Sequence, residues 1–106
     1  MHSNRLLSSL RHKDYHRLIA LFDVVDLSIG DTLVQPQSRF RYVYFPIDSV
    51  ISQLVPVDSH ENLEVAMVGN EGMLGTPLIL GVPSSNLQGL VQGSGTALRM
   101  NAASFR

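Results

Sequence analysis

The segment Gly69–Gly75 combines three glycines with a short apolar run and is the stretch of this sequence best suited to hold a ligand. Glycines that flank the start of a short helix leave backbone N–H groups unpaired, and such groups can face a small anion. A tight turn that packs closely on its neighbours has the same composition. No lysine of a phosphate-binding loop is present. The spacing therefore leaves both an anion site and a packed turn open.

Histidines offer a second kind of chemistry. His12 and His16 stand four residues apart on a predicted helix, the spacing that places two imidazoles on one face in helical zinc sites, but no third ligand is evident. His60 lies beside Glu61 and near Glu64 in a predicted turn, a composition shared with ordinary polar hairpin tips. No metal site is predicted.

Covalent and redox catalysis find little support in the sequence. The chain contains no Cys, which excludes disulfides, thiolate zinc sites, cysteine-ligated iron–sulfur clusters and cysteine nucleophiles. The stretch Gly93-Ser94-Gly95 lacks the Gly-x-Ser-x-Gly frame of a nucleophile elbow and the helix that should follow it. We therefore predict no catalytic residue, no cofactor and no enzymatic activity.

Charge is unevenly distributed along the 106 residues, whose net charge is −1. Residues 1–20 carry four Lys and Arg against Asp14 alone, whereas residues 23–71 carry eight acidic residues against two arginines. An acidic body is a poor surface for a phosphate backbone, so residues 1–106 are not expected to bind DNA specifically. No apolar run approaches the ~18 residues of a membrane span and no signal peptide is recognisable, so we expect a soluble, cytoplasmic protein without a membrane partner.

Apolar residues recur every three or four positions within the first 22 residues, which predicts two short helices. Ser3 or Asn4 can cap the first helix, and Asp14 lies near the start of the second. The rest of the chain favours antiparallel β-structure between Val24 and Met100, because short β-rich runs alternate with turn residues. The predicted strands are Val24–Ile29, Thr32–Val34, Phe40–Phe45, Val50–Val57, Leu63–Val68 and a closing strand at Thr96–Met100.

Two later segments are also predicted to be helical. A short helical turn is predicted near Thr76–Leu80, with Pro77 in its first turn, and Asn101 can cap a terminal helix that begins at Ala102. Between them, Val82–Gly95 contains Pro, Gly and Ser around Leu90-Val91-Gln92, and no element is assigned to it. A closed barrel buries alternate strand residues, so a core is predicted that includes Tyr44, Phe45, Val50, Leu54, Val65 and Val68.

Several segments together resemble one protein family. They are Asn4-Arg5-Leu6-Leu7, Gly30-Asp31, Val43-Tyr44-Phe45-Pro46, Glu64-Val65-Ala66, Val68-Gly69-Asn70-Glu71-Gly72-Met73-Leu74-Gly75 and Ala97-Leu98-Arg99-Met100. Their order and spacing resemble the N-terminal sensor domain of Crp/Fnr-type bacterial transcription regulators, over nearly the whole chain.

The resemblance implies a mainly β fold, a double-stranded β-helix (jelly roll) with short N-terminal helices and the start of a C-terminal helix. Residues 1–106 would form one cyclic-nucleotide-binding-like sensor domain. Full-length members continue into a dimerisation helix and a helix-turn-helix domain, which this sequence does not include. The expected role is effector sensing in transcription regulation, with an unknown small-molecule effector or none, a homodimer when full length, and DNA contacted only through the C-terminal domain. The alternative is a stand-alone ligand-binding or oligomerisation module.

In members that bind cyclic AMP, a Gly-Glu-Leu-Gly-type segment contacts the ribose and an Arg-Ser or Arg-Thr pair holds the cyclic phosphate. Here Met73 stands in place of the glutamate. One alignment places Gln88 at the arginine, and a shifted alignment onto Ser84-Ser85 also finds no Arg. An arginine–phosphate fork is charge-assisted and bidentate, so this chain is not expected to be a classical cyclic-AMP binder. The candidate pocket comprises Gly69, Gly72, Met73, Leu74, Gly75, Ser84, Ser85, Gln88 and Gly89.

Two positions depart from the family pattern in turns. Gln37 follows Pro36 where the family commonly has Gly, and Ser49 precedes the strand at Val50 where Gly is also common. A non-Gly residue at a position that requires positive φ is strained by roughly 1–2 kcal/mol.

Overall fold

Two short helices open the chain in the computed structural model, which describes residues 4–56 and 62–105. The first helix, α1, spans Arg5–Ser8, and the Oδ1 atom of Asn4 accepts a hydrogen bond from the Leu7 N–H at 3.1 Å, as the predicted cap requires. The second, α2, spans His12–Ile19 with Asp14 in its first turn. The half-buried side chains of Tyr15, Leu18 and Ile19 fix α2 against the core.

Within the described residues, seven strands form two antiparallel sheets, which confirms the predicted mainly β jelly roll. A three-stranded sheet has the order β1-β7-β3, and a four-stranded sheet has the order β2-β6-β4-β5. The strands are β1 Asp23–Leu27, β2 Thr32–Val34, β3 Tyr42–Pro46, β4 Val50–Pro56, β5 Asn62–Val68, β6 Gln88–Gly93 and β7 Gly95–Asn101. A 3-10 helix, Thr76–Leu80, lies between β5 and β6 with Pro77 in its first turn, as predicted.

The chain ends in a short helix, α3, at Ala102–Phe105. The Ala103 N–H donates to Oδ1 of Asn101 at 2.8 Å, which confirms the predicted cap. The Phe105 ring lies 6.3 Å from the Phe45 ring, so α3 is anchored on the three-stranded sheet. No helix in the described part of the chain is long and apolar enough to cross a membrane.

Strand β6 is the main element that the sequence did not predict, because Val82–Gly95 has the composition of a connection. It lies in the middle of its sheet, between β2 and β4. Gly89 lowers the strand propensity of this segment. The structure nevertheless leaves little room for a side chain at this position. A Cβ there would lie 3.0 Å from both Leu74 Cδ2 and Val34 Cγ1.

The core lies between the sheets, and Val43, Ile51, Val91 and Met100 are almost completely inaccessible. Of the six predicted core residues, Tyr44, Phe45, Leu54 and Val68 are buried and Val50 is partly buried. The prediction for Val65 is wrong, since its side chain is 50% exposed. Strand β5 is a sheet edge, and its register with β4 shifts between Gln53 and Leu54, which leaves Val65 without an opposite residue.

The two unusual turn positions have different outcomes. Gln37 has φ of 70°, so the strain expected of a non-Gly residue is present there. Its N–H donates to the Ser85 carbonyl at 2.6 Å, which holds the turn in place. Ser49 does not have positive φ. It is buried, and its hydroxyl donates to the Thr96 carbonyl at 2.9 Å.

Candidate functional site

Three backbone N–H groups of Gly69–Gly75 donate hydrogen bonds within the protein. The Gly69 N–H donates to Oε1 of Glu71 at 3.1 Å, and the Gly72 N–H donates to the Gly69 carbonyl at 3.2 Å. Leu74 and Tyr44 exchange two backbone hydrogen bonds, at 2.8 and 3.1 Å. These three donors are therefore not available to an anion, which favours the packed turn over the anion site.

The carboxylate of Glu71 is the anion that this turn holds. Backbone N–H groups of Glu71 itself and of Gly69 lower the pKa of Glu71, and the nearby charge of Arg5 acts in the same direction against a small opposing effect of burial. The side chain is exposed. A negatively charged ligand at this turn would meet a negative charge already in place.

Close packing explains the composition of the same segment. The buried Asn4 side chain donates from Nδ2 to the carbonyls of Pro46 and Gly72, each at 2.8 Å, and so ties the turn to α1 and β3. Met73 is buried in the core. Gly75 has φ of 120°, and a Cβ there would lie only 2.7 Å from Cγ1 of Val43.

A first cavity, of about 400 Å³, opens beside this turn, between the 3-10 helix and strands β4 and β5. Gly72 and Met73 line it together with Gln53, Thr76 and Ile79. Its lining is mainly apolar, and Glu71 contributes the carboxylate at its edge.

A second cavity, of about 380 Å³, lies on the other side of Gln53 and is bordered by Pro77 of the 3-10 helix. Its apolar lining residues are Phe40, Pro77, Val82 and Leu87, and its polar ones are Gln53, Ser84, Ser85 and Asn86. None of these described lining residues is charged. The Ser85 hydroxyl is engaged, since it donates to the Leu87 carbonyl at 2.7 Å and accepts from the Leu87 N–H at 2.9 Å.

Backbone hydrogen bonds hold the second cavity's loop against the segment that follows β2. The Phe40 N–H donates to the Pro83 carbonyl and the Ser85 N–H to the Ser38 carbonyl, each at 3.0 Å. Phe40 is buried and lines the cavity. Arg39, its neighbour in the chain, is exposed and lines a separate cleft with Arg41. Arg39 pairs with Ser84 in an isolated antiparallel bridge, but it is not among the lining residues of the second cavity.

The structure does not bring Gln88 to the two serines. Its neighbour Gly89 faces the core beside Val34 and Leu74, and successive residues of a strand point to opposite faces. Nε2 of Gln88 donates to Oγ1 of Thr32 at 3.4 Å on the other face of the sheet. Ser84 and Ser85 line the second cavity, and Gln88 is not among its lining residues.

The predicted pocket is therefore divided. Gly72 and Met73 line the first cavity, and Ser84 and Ser85 line the second. Gln53 borders both and was missed by the sequence reasoning. The sequence did offer one indication of this residue, since Gln53 is polar and stands within the mainly apolar run Val50–Val55. Whether its side chain faces inward, however, depends on the strand register.

Other candidate sites gain no support. Among the described residues, no group of three His, Cys, Asp or Glu side chains could hold a metal ion. His60 and Glu61 lie outside the described residues. The Ser94 hydroxyl accepts a hydrogen bond from the Ile29 N–H at 3.0 Å, as a turn residue would.

No protein-family model matches the chain, and no curated protein sequence matches it either. Several solved structures, however, are similar to this chain. The sensor domain of the transcriptional regulator DNR from Pseudomonas aeruginosa has a TM-score of 0.77 at 12% identity, over 95% of this chain and 68% of that one. A cyclic nucleotide-binding-like protein from Brucella abortus has a TM-score of 0.76 at 15% identity, over 95% and 86% of the two chains.

A third similar structure is the regulatory subunit of a cAMP-independent protein kinase A from Trypanosoma cruzi, bound to guanosine. Its TM-score is 0.80 at 11% identity, over 93% of this chain and 36% of that one, so this chain spans about a third of the kinase subunit. These similarities show that the chain has the cyclic-nucleotide-binding-domain fold, as the family resemblance implied. The Pseudomonas aeruginosa protein is a sensor domain and the Trypanosoma cruzi protein is a regulatory subunit.

Proposed function

We propose that residues 1–106 are the effector-sensing domain of a Crp/Fnr-type transcription regulator, and that its cavity takes an uncharged small molecule rather than a cyclic nucleotide. The family motifs quoted above and the fold shared with a transcription regulator's sensor domain support this role. In the full-length protein, we propose that the domain acts in a homodimer and passes its state to a C-terminal DNA-binding domain.

The observation that carries the proposal is the neutral lining of the second cavity, which includes Ser84 and Ser85. A cyclic phosphate keeps its negative charge on binding, and burying a charge without a counter-charge is expensive. Ser85 also uses its hydroxyl on Leu87. Among the described lining residues, no cationic group is present to compensate the phosphate.

The Gly69–Gly75 turn strengthens this argument from the other side. In cyclic-AMP-binding members the corresponding segment presents free N–H groups and a glutamate to the ligand. Here the Gly72 and Leu74 N–H groups have acceptors within the protein, and Met73 stands in place of the ribose partner. Cyclic AMP would therefore lose favourable contacts at both ends of the molecule.

An uncharged ligand fits the remaining groups better. The second cavity offers apolar walls and neutral hydrogen-bonding side chains, and its volume is in the range of small-molecule sites. The Trypanosoma cruzi subunit, described as cAMP-independent, is bound to guanosine, a nucleoside without a phosphate. Proteins with this fold can thus hold an uncharged ligand.

Calorimetric titration with cyclic AMP, cyclic GMP and guanosine tests the proposal. Each lost hydrogen bond to a charged group weakens binding by roughly 1.5–3 kcal/mol, so cyclic nucleotides should bind on the order of a hundredfold to ten-thousandfold more weakly than to a site with both anchors. Micromolar affinity for either cyclic nucleotide would refute the proposal. Guanosine binding that exceeds cyclic GMP binding would support it, since the two share a base and differ in the phosphate.

A further inference from the structure

We propose that Gln53 determines ligand specificity in this domain, by pairing its carboxamide with a ligand edge that carries a hydrogen-bond donor beside an acceptor. The inference rests on the proposed function, because it concerns the same cavity. The ligand class is an uncharged heterocycle with a lactam-like edge, in which a ring N–H stands next to a carbonyl.

The position of Gln53 gives its side chain room on the inner face of the sheet. Strand β4 lies between β5 and β6, and Gln53 stands opposite Ala66 on β5 and Gly89 on β6. Both neighbours have minimal side chains. Ile51, two residues earlier on the same face, is fully buried in the core. The amide therefore points inward where cross-strand neighbours leave space, and it borders both cavities.

The Gln53 carboxamide has no hydrogen-bond partner among the described residues, and the side chain is partly buried. Water reaches this amide, since Arg99 Nε is the one buried side-chain polar atom without a partner among the described residues. The Gln53 amide can therefore exchange its water contacts for hydrogen bonds to a ligand, which a side chain already bonded within the protein could not do.

Of the polar residues that line the second cavity, Gln53 lies in a strand, whereas Ser84, Ser85 and Asn86 lie in a loop. The Ser85 hydroxyl is already paired with Leu87, and Asn86 is exposed. An amide offers one acceptor oxygen and an NH₂ donor side by side, so it can form two hydrogen bonds to a complementary edge. Two parallel bonds discriminate strongly against a ligand that lacks one of the groups, because the amide is then left unpaired.

Paired titrations of guanosine and purine riboside test this role. Purine riboside has the same sugar and ring system as guanosine but lacks its ring N–H, carbonyl and amino groups. We expect the wild-type protein to prefer guanosine by roughly ten- to hundredfold, and this ratio to fall to about one in Gln53→Leu. Gln92→Leu, which makes the same change at an exposed glutamine of β6 that lines neither cavity, should keep the preference.

The ratio of guanosine affinity to purine riboside affinity is insensitive to a general distortion of the fold, because such a distortion weakens the binding of both ligands. An unchanged ratio in Gln53→Leu overturns the assignment of Gln53 and leaves the proposed function standing. Failure of the wild-type protein to bind guanosine overturns the ligand class, whereas micromolar cyclic-AMP binding overturns the proposed function itself.

The Tm of the ligand-free protein gives a further check on the role of Gln53. Gln53→Leu should equal or exceed the wild type, and a drop of more than about 5 °C would show a structural bond and overturn the inference.

Discussion

The two stretches that the family resemblance assigns to one pocket differ in how they use their polar groups. Gly69–Gly75 directs its backbone donors to Glu71, Gly69 and Tyr44, and its conformation is fixed by Asn4 and by the close approach of Val43. The loop at Ser84–Leu87 instead encloses a cavity next to an unpaired amide. In this protein the glycines of Gly69–Gly75 therefore allow close packing. The space for a ligand lies beside Ser84–Leu87, whose sequence is less distinctive.

The largest expected effect comes from Gly75→Ala, which tests the packing role of the first stretch. The φ of 120° disfavours an L side chain, and the new Cβ would lie 2.7 Å from Cγ1 of the fully buried Val43. Backbone strain and overpacking together should lower the free energy of unfolding by roughly 3 kcal/mol, which corresponds to a fall in Tm of roughly 15 °C. Thermal and urea unfolding measure both quantities.

Gly81→Ala is the matched control for that substitution. Gly81 also has positive φ, 82°, but nothing lies within 4 Å of the position of its Cβ. Only backbone strain remains, so a loss of about 1 kcal/mol is expected. Equal losses in the two variants would show that contact with Val43 contributes nothing, and would remove the main argument for packing at Gly75.

The second prediction compares Ser84→Arg with Gln88→Arg and decides which position faces the cavity. Ser84 lines the cavity, whereas Gln88 bonds Thr32 on the outer face of the sheet. A guanidinium at position 84 supplies the missing counter-charge and should raise cyclic-AMP affinity by roughly ten- to hundredfold. Gln88→Arg should leave the affinity unchanged in the same calorimetric titration. A gain from Gln88→Arg, with none from Ser84→Arg, would reverse this placement.

Much of the fold could be predicted because local sequence and tertiary packing agree. The β-branched runs at Thr32–Val34 and Val50–Val55 lie in strands β2 and β4, and Asn4 and Asn101 are helix caps, since each rule depends on residues within a few positions. Strand β6 could not be recognised, because Gly89 is selected by the side chains of Leu74 and Val34, which lie far away in sequence.

The site was less predictable for a related reason. Which face of β4 carries Gln53, and whether Val65 is buried, both depend on the register shift between β4 and β5 at Gln53 and Leu54. A shift of one residue exchanges the inner and outer faces of a strand, and no local pattern in the chain specifies it. Register also decides that Gly89, rather than Gln88, faces inward.

The smallest expected effect concerns Glu71 and the charge held by the first stretch. Hydrogen bonds from the backbone N–H groups of Glu71 and Gly69 lower its pKa below the ordinary value of 4.5. A carboxylate with a lowered folded-state pKa stabilises the fold at pH values above its unfolded-state pKa, and the contribution is lost as pH falls through the folded-state pKa. Glu71→Gln should therefore be slightly less stable than the wild type in urea unfolding at pH 7. The difference should shrink as pH falls below 4.5 and vanish once the carboxylate is protonated in both states. A difference that persists at pH 2 would mean that the shape of the side chain, and not its charge, holds the turn.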